Sequence, residues 1–185
     1  MRVYVIALEF ERKLNELIYE QKKEIEFIAG NQIYLNHPPH ITLYVLSSNQ
    51  SDLIEIKKRV KKISEYIKII NIKIKGLGIF KNDSKTKCDT VFYEFMNDDE
   101  LIKIQKEIVI LSDLDQSTEK FNFIGGEWHP HITLASIQED KLEYIYKKLK
   151  NKEINGDFII DKLVIYSYKY PSPPRIIKKF RLKNA

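Results

Sequence analysis

At 185 residues the chain is long enough to bury a proper core, and 43% hydrophobic with 31% charged residues excludes a disordered protein. The net charge of +5 favours polyanionic partners such as RNA or nucleotides, although lysines spread along several helices equally give a solvated basic surface. The single cysteine, Cys88, rules out an internal disulfide and a thiolate zinc site, and no apolar run has the length of a signal segment or membrane span. A cytoplasmic protein without membrane contact is expected.

Residues 2–8 are rich in β-branched side chains and read as a buried strand. Residues 11–29 read as a helix with Leu14, Leu17, Ile18, Ile25 and Ile28 on one face. A short strand is expected at 32–35 and a longer one at 40–46. Ser51 or Asp52 is a candidate cap for a helix carrying Leu53, Ile56, Val60, Ile63 and Ile67. Strands at 68–79 and 90–96 flank a basic loop at 81–89. A helix at Leu101–Leu111 starts from the signal at 97–99. Residues 112–128 read as loop, 131–136 as strand, 141–150 as helix and 157–168 as strand. A Pro-rich turn at 170–174 leads to a closing strand at 176–182. Strands and helices thus alternate in two similar halves, which suggests a duplicated α+β unit with two small sheets facing one another.

The string HITL occurs at 40–43 and again at 131–134, and an internal repeat explains it better than chance. All four histidines, His37, His40, His129 and His131, lie in or beside the two copies. On a strand, residues i and i+2 share a face. His40 and Thr42 therefore point one way while Ile41 and Leu43 point into the core, and His131 and Thr133 repeat the arrangement. If a pseudo-two-fold axis relates the halves, two imidazoles and two hydroxyls meet across a cleft. Such a set suits phosphodiester cleavage. A neutral histidine removes a proton from water or a ribose hydroxyl, and a protonated one supplies a proton to the leaving oxygen. Threonine hydroxyls donate to the non-bridging phosphate oxygens. This scheme requires no metal and no cofactor. Spacing does not say which histidine is the base.

The doubled HITL, the gap between copies and the start RVYVIAL resemble the 2H phosphoesterase superfamily, in its 2′-5′ RNA ligase-like or cyclic phosphodiesterase branch. KGLGIF at 75–80, HPHITLA at 129–135 and LVIYS at 163–167 are similar too, so the resemblance covers essentially the whole chain. It implies a single domain over 1–185, with a bilobal, pseudo-two-fold α+β fold, two antiparallel sheets facing a central cleft and helices outside. It implies His40, Thr42, His131 and Thr133 as the catalytic quartet. The activities it implies are hydrolysis or formation of 2′-5′ linkages, opening of 2′,3′-cyclic phosphates and cleavage of small cyclic or 2′-5′ oligonucleotides. Several members carry an arginine just after the second motif, where this chain has Ser136.

Tyr44, Phe80, Trp128 and Tyr168 flank the motifs or nearby strand ends and are candidates to stack on a base, against the commoner role of aromatics in a core. Lys81, with Lys85 and Lys87, forms a loop that is a candidate for phosphate contact. His37 and His129 precede prolines and read as loop or supporting residues. Two other readings stand beside the enzyme: an RNA-binding module using the same basic cleft, and a hydrolase in which the histidines hold zinc or nickel. The chain is expected to work as a monomer on RNA or a small nucleotide.

Overall fold

Alternation along the first strand decides the layout. In β1 (Arg2–Phe10), Tyr4, Ile6, Leu8 and Phe10 enter the main core, while Ala7 turns to the opposite face and clusters with Val164 and Tyr166. The computed structural model describes residues 2–48, 53–83, 86–96, 99–111, 128–169 and 172–184. After β1 come α1 (Arg12–Ala29), β2 (Ile41–Ser48), α2 (Leu53–Ser64), β3 (Ile70–Phe80) and β4 (Asp89–Phe95). They are followed by α3 (Asp99–Leu111), β5 (His131–Ile137), α4 (Glu139–Lys150), β6 (Asp157–Lys169) and β7 (Ser172–Arg181). Helix α1 buries Leu14, Ile18, Lys22 and Ile25 on one stripe. It stops at Gly30, whose N–H closes the last helical turn onto the Glu26 carbonyl at 2.8 Å and whose positive φ of 72° then takes the chain out of the helix.

The pairings among the described strands are antiparallel, and the strands join in the order β2-β1-β6-β3-β4-β5, with β7 beside β6. β3 is the joint. Its residues Ile70–Lys73 pair with β6, and Ile74–Phe80 pair with β4. The two expected sheets are therefore two limbs of one sheet, and each limb ends in an HITL strand. β2 and β5, at opposite ends of the strand order, come into contact, so the row curls back on itself and brings the two motif strands together.

The helices are exchanged between limbs. α1, from the first half, packs on β5 and α4, while α3, from the second half, packs on β2 and α2. Buried polar residues tie these contacts. Gln21 of α1 accepts a hydrogen bond from the Tyr93 hydroxyl of β4 at 2.8 Å, and Gln105 of α3 reaches the Leu43 carbonyl of β2 at 3.5 Å.

Local differences from the sequence reading have local causes. Residues 32–35 form a turn with Tyr34 at φ 71°, and only Ile33 makes a bridge, to Ser136. Helix α2 ends at Ser64, whose hydroxyl donates to the Lys61 carbonyl, instead of running to Ile67. β7 begins at Ser172 and carries Pro173 and Pro174 as strand residues; β7 pairs only with β6 among the described strands, an edge position where a missing N–H costs no ladder bond. The expected cap at Ser51 or Asp52, the helix signal at 97–98, the loop 112–127 and the turn at 170–171 lie outside the described residues.

Candidate active site

His40 immediately precedes β2, and its Nδ1 lies 2.6 Å from the Pro38 carbonyl. His131 opens β5, and its Nδ1 lies 2.7 Å from the His129 carbonyl. A carbonyl oxygen only accepts, so in each ring Nδ1 carries the hydrogen and Nε2 is left for chemistry. The same two-residue back-bond in both halves is the physical content of the HITL repeat.

The register around the motifs is also duplicated. Ile6 pairs with Tyr44 and Ala7 with Thr42, which leaves Leu43 as the extra residue of a bulge. Val91 pairs with Ala135 and Phe92 with Thr133, which leaves Leu134 in the same role. Thr42 stands opposite Ala7, on the face of the Ala7, Val164 and Tyr166 cluster, and Thr133 stands opposite Phe92. Both threonines keep partial access to solvent. The bulge reverses the alternation beyond it. Tyr44 consequently sits opposite Ile6 in the main core, 7% exposed, and is not on the Thr42 face where strict alternation puts it.

Aromatic rings back both histidines. Phe80 stands edge-on to His131 at 5.0 Å and stacks on Phe92 at 4.0 Å; Phe92 in turn meets His131 at 5.3 Å. On the other limb Tyr166 packs against His40 at 5.4 Å. Tyr168 instead meets His37, at 5.3 Å, so the candidate at that strand end is one pleat away from the first motif histidine. Trp128 donates from Nε1 to the Thr42 carbonyl at 3.2 Å and packs against the core, thereby strapping the two motif strands together. The Lys81 ammonium pairs with Asp89 Oδ2 at 2.7 Å, and the Asn82 N–H donates to the other oxygen at 2.8 Å. Ser136, in place of the arginine of several family members, is buried against the Thr90 hydroxyl at 2.5 Å.

A glutamate stands at the matching place on each limb. Glu9, buried on β1, accepts from the Tyr166 hydroxyl at 2.6 Å and pairs with Lys179 of β7. Glu94, at the matching place on β4, pairs with Lys75 at 2.9 Å and lies 3.8 Å from His129 Nε2. Burial pushes the His40 pKa down to about 4, and the charges of Lys22 and His131 act in the same sense; the Pro38 carbonyl and Glu9 oppose them. Burial lowers His131 too, against the His129 carbonyl and Asp83. His37 falls to about 4 through burial, His40 and Lys22. Among the described residues, no three His, Cys, Asp or Glu side chains gather as a metal site, and no helix is long and apolar enough to cross a membrane.

Sequence reasoning missed Tyr166, Glu9, Phe92 and Lys22. A signal existed for three of them. β1 and β4 both end in Glu-Phe (Glu9-Phe10 and Glu94-Phe95), and aligning these strands matches Ala7 to Phe92 and Tyr166 to Phe80. Lys22 is invisible as a site residue because its contacts are backbone carbonyls.

Residues 18–170 match the family model of the 2′-5′ RNA ligase superfamily, and the chain belongs to that family of 2H phosphoesterases. Its fold is similar to that of TT0787 from Thermus thermophilus, at a TM-score of 0.72 and 16% identity over 100% of this chain and 99% of that one. E. coli LigT is similar at a TM-score of 0.66 and 12% identity, covering 98% of this chain and 97% of LigT. Usb1 of Kluyveromyces marxianus is similar at 0.56 and 11%, covering 97% of each chain. Membership supports phosphodiesterase-type activity.

Proposed function

We propose that this chain, a single bilobal domain over 1–185, is a phosphodiesterase that hydrolyses 2′,3′-cyclic or 2′-5′ phosphodiester bonds in RNA ends or small nucleotides, cyclic ones included. The observation that carries this reading is the paired back-bond: His40 and His131 each give Nδ1–H to a carbonyl two residues earlier and keep Nε2 for proton transfer. One neutral Nε2 takes a proton from the attacking water as its oxygen bonds to phosphorus. The other, protonated, gives its proton to the ribose oxygen as that P–O bond breaks. Thr42 and Thr133 donate to the non-bridging oxygens as negative charge builds there. The two imidazoles perform both proton transfers, so the scheme runs without a metal.

Phe80, on the Phe92 ring and beside His131, is the best placed of the aromatic candidates to stack on a base. Trp128 and Lys81 serve as a strap and as a partner of Asp89, and Tyr168 contributes beyond the first motif through His37. Structures of the similar E. coli LigT have been determined with phosphate and with 3′-AMP, which is in keeping with a nucleotide substrate here.

The test is turnover of 2′,3′-cyclic mononucleotides, a 2′-5′ linked dinucleotide and a 3′-5′ linked control in excess EDTA. Cleavage of either of the first two, reduced about 100-fold or more in His40→Ala and in His131→Ala, is expected. Activity that appears only on adding zinc or nickel defeats the metal-free scheme. RNA affinity that survives both alanine variants, with no turnover, marks a binding module.

A further inference from the structure

Lys22 is a buried lysine held by backbone carbonyls. It lies on α1 at 3% exposure, and its Nζ donates to the Tyr34 and His37 carbonyls, each at 2.8 Å. Among the described residues no Asp or Glu forms an ion pair with it. A lysine kept in this way costs free energy, since desolvation of an ammonium is not offset by an opposite charge. The two carbonyls it holds belong to the segment that crosses from one limb to the other. Ile33 of that segment bridges to Ser136 on β5, and four residues later the chain enters the His37-Pro38-Pro39-His40 approach to β2. Tyr34 sits there at φ 71°, a backbone state that a bulky side chain rarely adopts. The Tyr34 carbonyl also accepts from the His37 N–H at 3.0 Å. The residue after His37 is Pro38, whose carbonyl holds His40 Nδ1.

We propose that Lys22 is a positioning residue for the first histidine: it fixes the turn whose Pro38 carbonyl orients His40, and its buried charge keeps His40 the proton acceptor and leaves His131 the donor. This inference rests on the two-histidine reading above and assigns roles within it. Water gives its proton to His40 Nε2 while its oxygen bonds to phosphorus; the P–O bond to the ribose oxygen breaks, and that oxygen takes the proton from His131 Nε2.

The surroundings of the two rings support the asymmetry. His40 feels Lys22 from α1, His131 from β5 and Glu9 from β1, and Glu9 is already engaged by Lys179. His131 feels the His129 ring and, in the opposite sense, Asp83. The fixed cation therefore stands on the His40 side. Burial lowers the Lys22 pKa itself to about 7. A neutral amine still carries two N–H groups for two carbonyls, so the turn is held on both sides of that titration, whereas the charge acts on its acid side.

The test is an NMR titration of the full chain, reading the histidine Cε1–H and lysine Nζ groups in the wild type, Lys22→Met and Lys22→Gln, alongside kcat and KM on a substrate found by the panel. One wild-type lysine should titrate near pH 7 and vanish from both variants. The His40 midpoint should rise in both variants while that of His131 stays in place. In Lys22→Met, kcat should fall about tenfold at unchanged KM, because a misplaced base slows chemistry more than binding. Lys22→Gln keeps a donor without the charge and should recover part of kcat. No wild-type lysine near pH 7, or a His40 midpoint unmoved in Lys22→Gln, overturns the inference. Neither readout needs turnover or the Met variant to fold. Full turnover in His40→Ala defeats the two-histidine reading by itself.

Discussion

Leu43 and Leu134 are equivalent bulge residues: each is skipped in the pairing of its motif strand, Leu43 between β1 and β2 and Leu134 between β4 and β5. The bulge keeps the motif threonine off the core face while the next two residues both turn to the core. In the first half those two residues are Leu43 and Tyr44.

Tyr44→Ala should therefore be a stability variant. Removing a buried aromatic costs about 3 kcal/mol or more, and urea unfolding should show the midpoint fall with KM unchanged for the protein that remains folded. Phe80→Ala should do the reverse. Loss of base stacking is worth about 1–3 kcal/mol, so KM should rise about tenfold or more with a smaller change in midpoint. A large KM effect at Tyr44 would contradict the bulge.

Gly78 lies beside the same aromatic pair. A Cβ built there would come within 2.5 Å of the Phe92 ring, whose displacement would carry Phe80 and the edge of His131 with it. Gly78→Ala should cost about 1–3 kcal/mol in stability through overpacking and lower kcat as well. Measuring both by thermal unfolding and steady-state kinetics checks this; wild-type kcat in a fully folded Gly78→Ala would show that the ring position does not matter to His131.

Trp128 donates to the Thr42 carbonyl. Trp128→Phe keeps most of the apolar packing and removes that hydrogen bond, at a cost of about 1 kcal/mol. Because the bond joins the approach to β5 with β2, kcat should fall in addition to the modest drop in midpoint that this cost implies. A change confined to the midpoint would reduce Trp128 to a core residue.

The pH–rate profile follows from the direction of both histidine shifts. Burial lowers His40 to about 4 and lowers His131 as well. The base must be neutral and the acid protonated, so kcat/KM should be bell-shaped with both limbs below the ordinary value of about 6.5. A flat profile, or an alkaline limb well above that value, would show that the pair does not carry out the proton transfers.

Stability should depend on the same groups. His37 and His40 each fall to about 4 in the folded chain, so the unfolded chain binds protons first as the pH drops. Their contribution is complete above about pH 6.5 and is lost as pH falls from there toward about 4. His37→Phe, which retains an aromatic ring between Tyr34 and Tyr168, should flatten this loss in urea midpoints taken across that interval. An unaltered slope would mean that His37 is protonated as easily when folded as when unfolded.

The family and the repeated motif were legible in the sequence because the signal for both is local. HITL written twice states which residues alternate on a strand, and the β-branched runs at 2–8 and 157–168 mark strands that became β1 and β6. The apolar stripe on α1 placed that helix at 11–29, within a residue of Arg12–Ala29. What only the tertiary structure decided depends on partners distant in sequence. A bulge is a two-against-one match between strands, so Leu43 and Leu134 cannot be told from ordinary strand residues until β1 and β4 are in register beside them. That match sends Tyr44 inward and leaves Tyr166, from a strand more than a hundred residues away, against His40. Lys22 is the plainest case: in sequence it is one of many helical lysines, and only the crossing segment folded over α1 encloses it and turns its charge toward the first histidine.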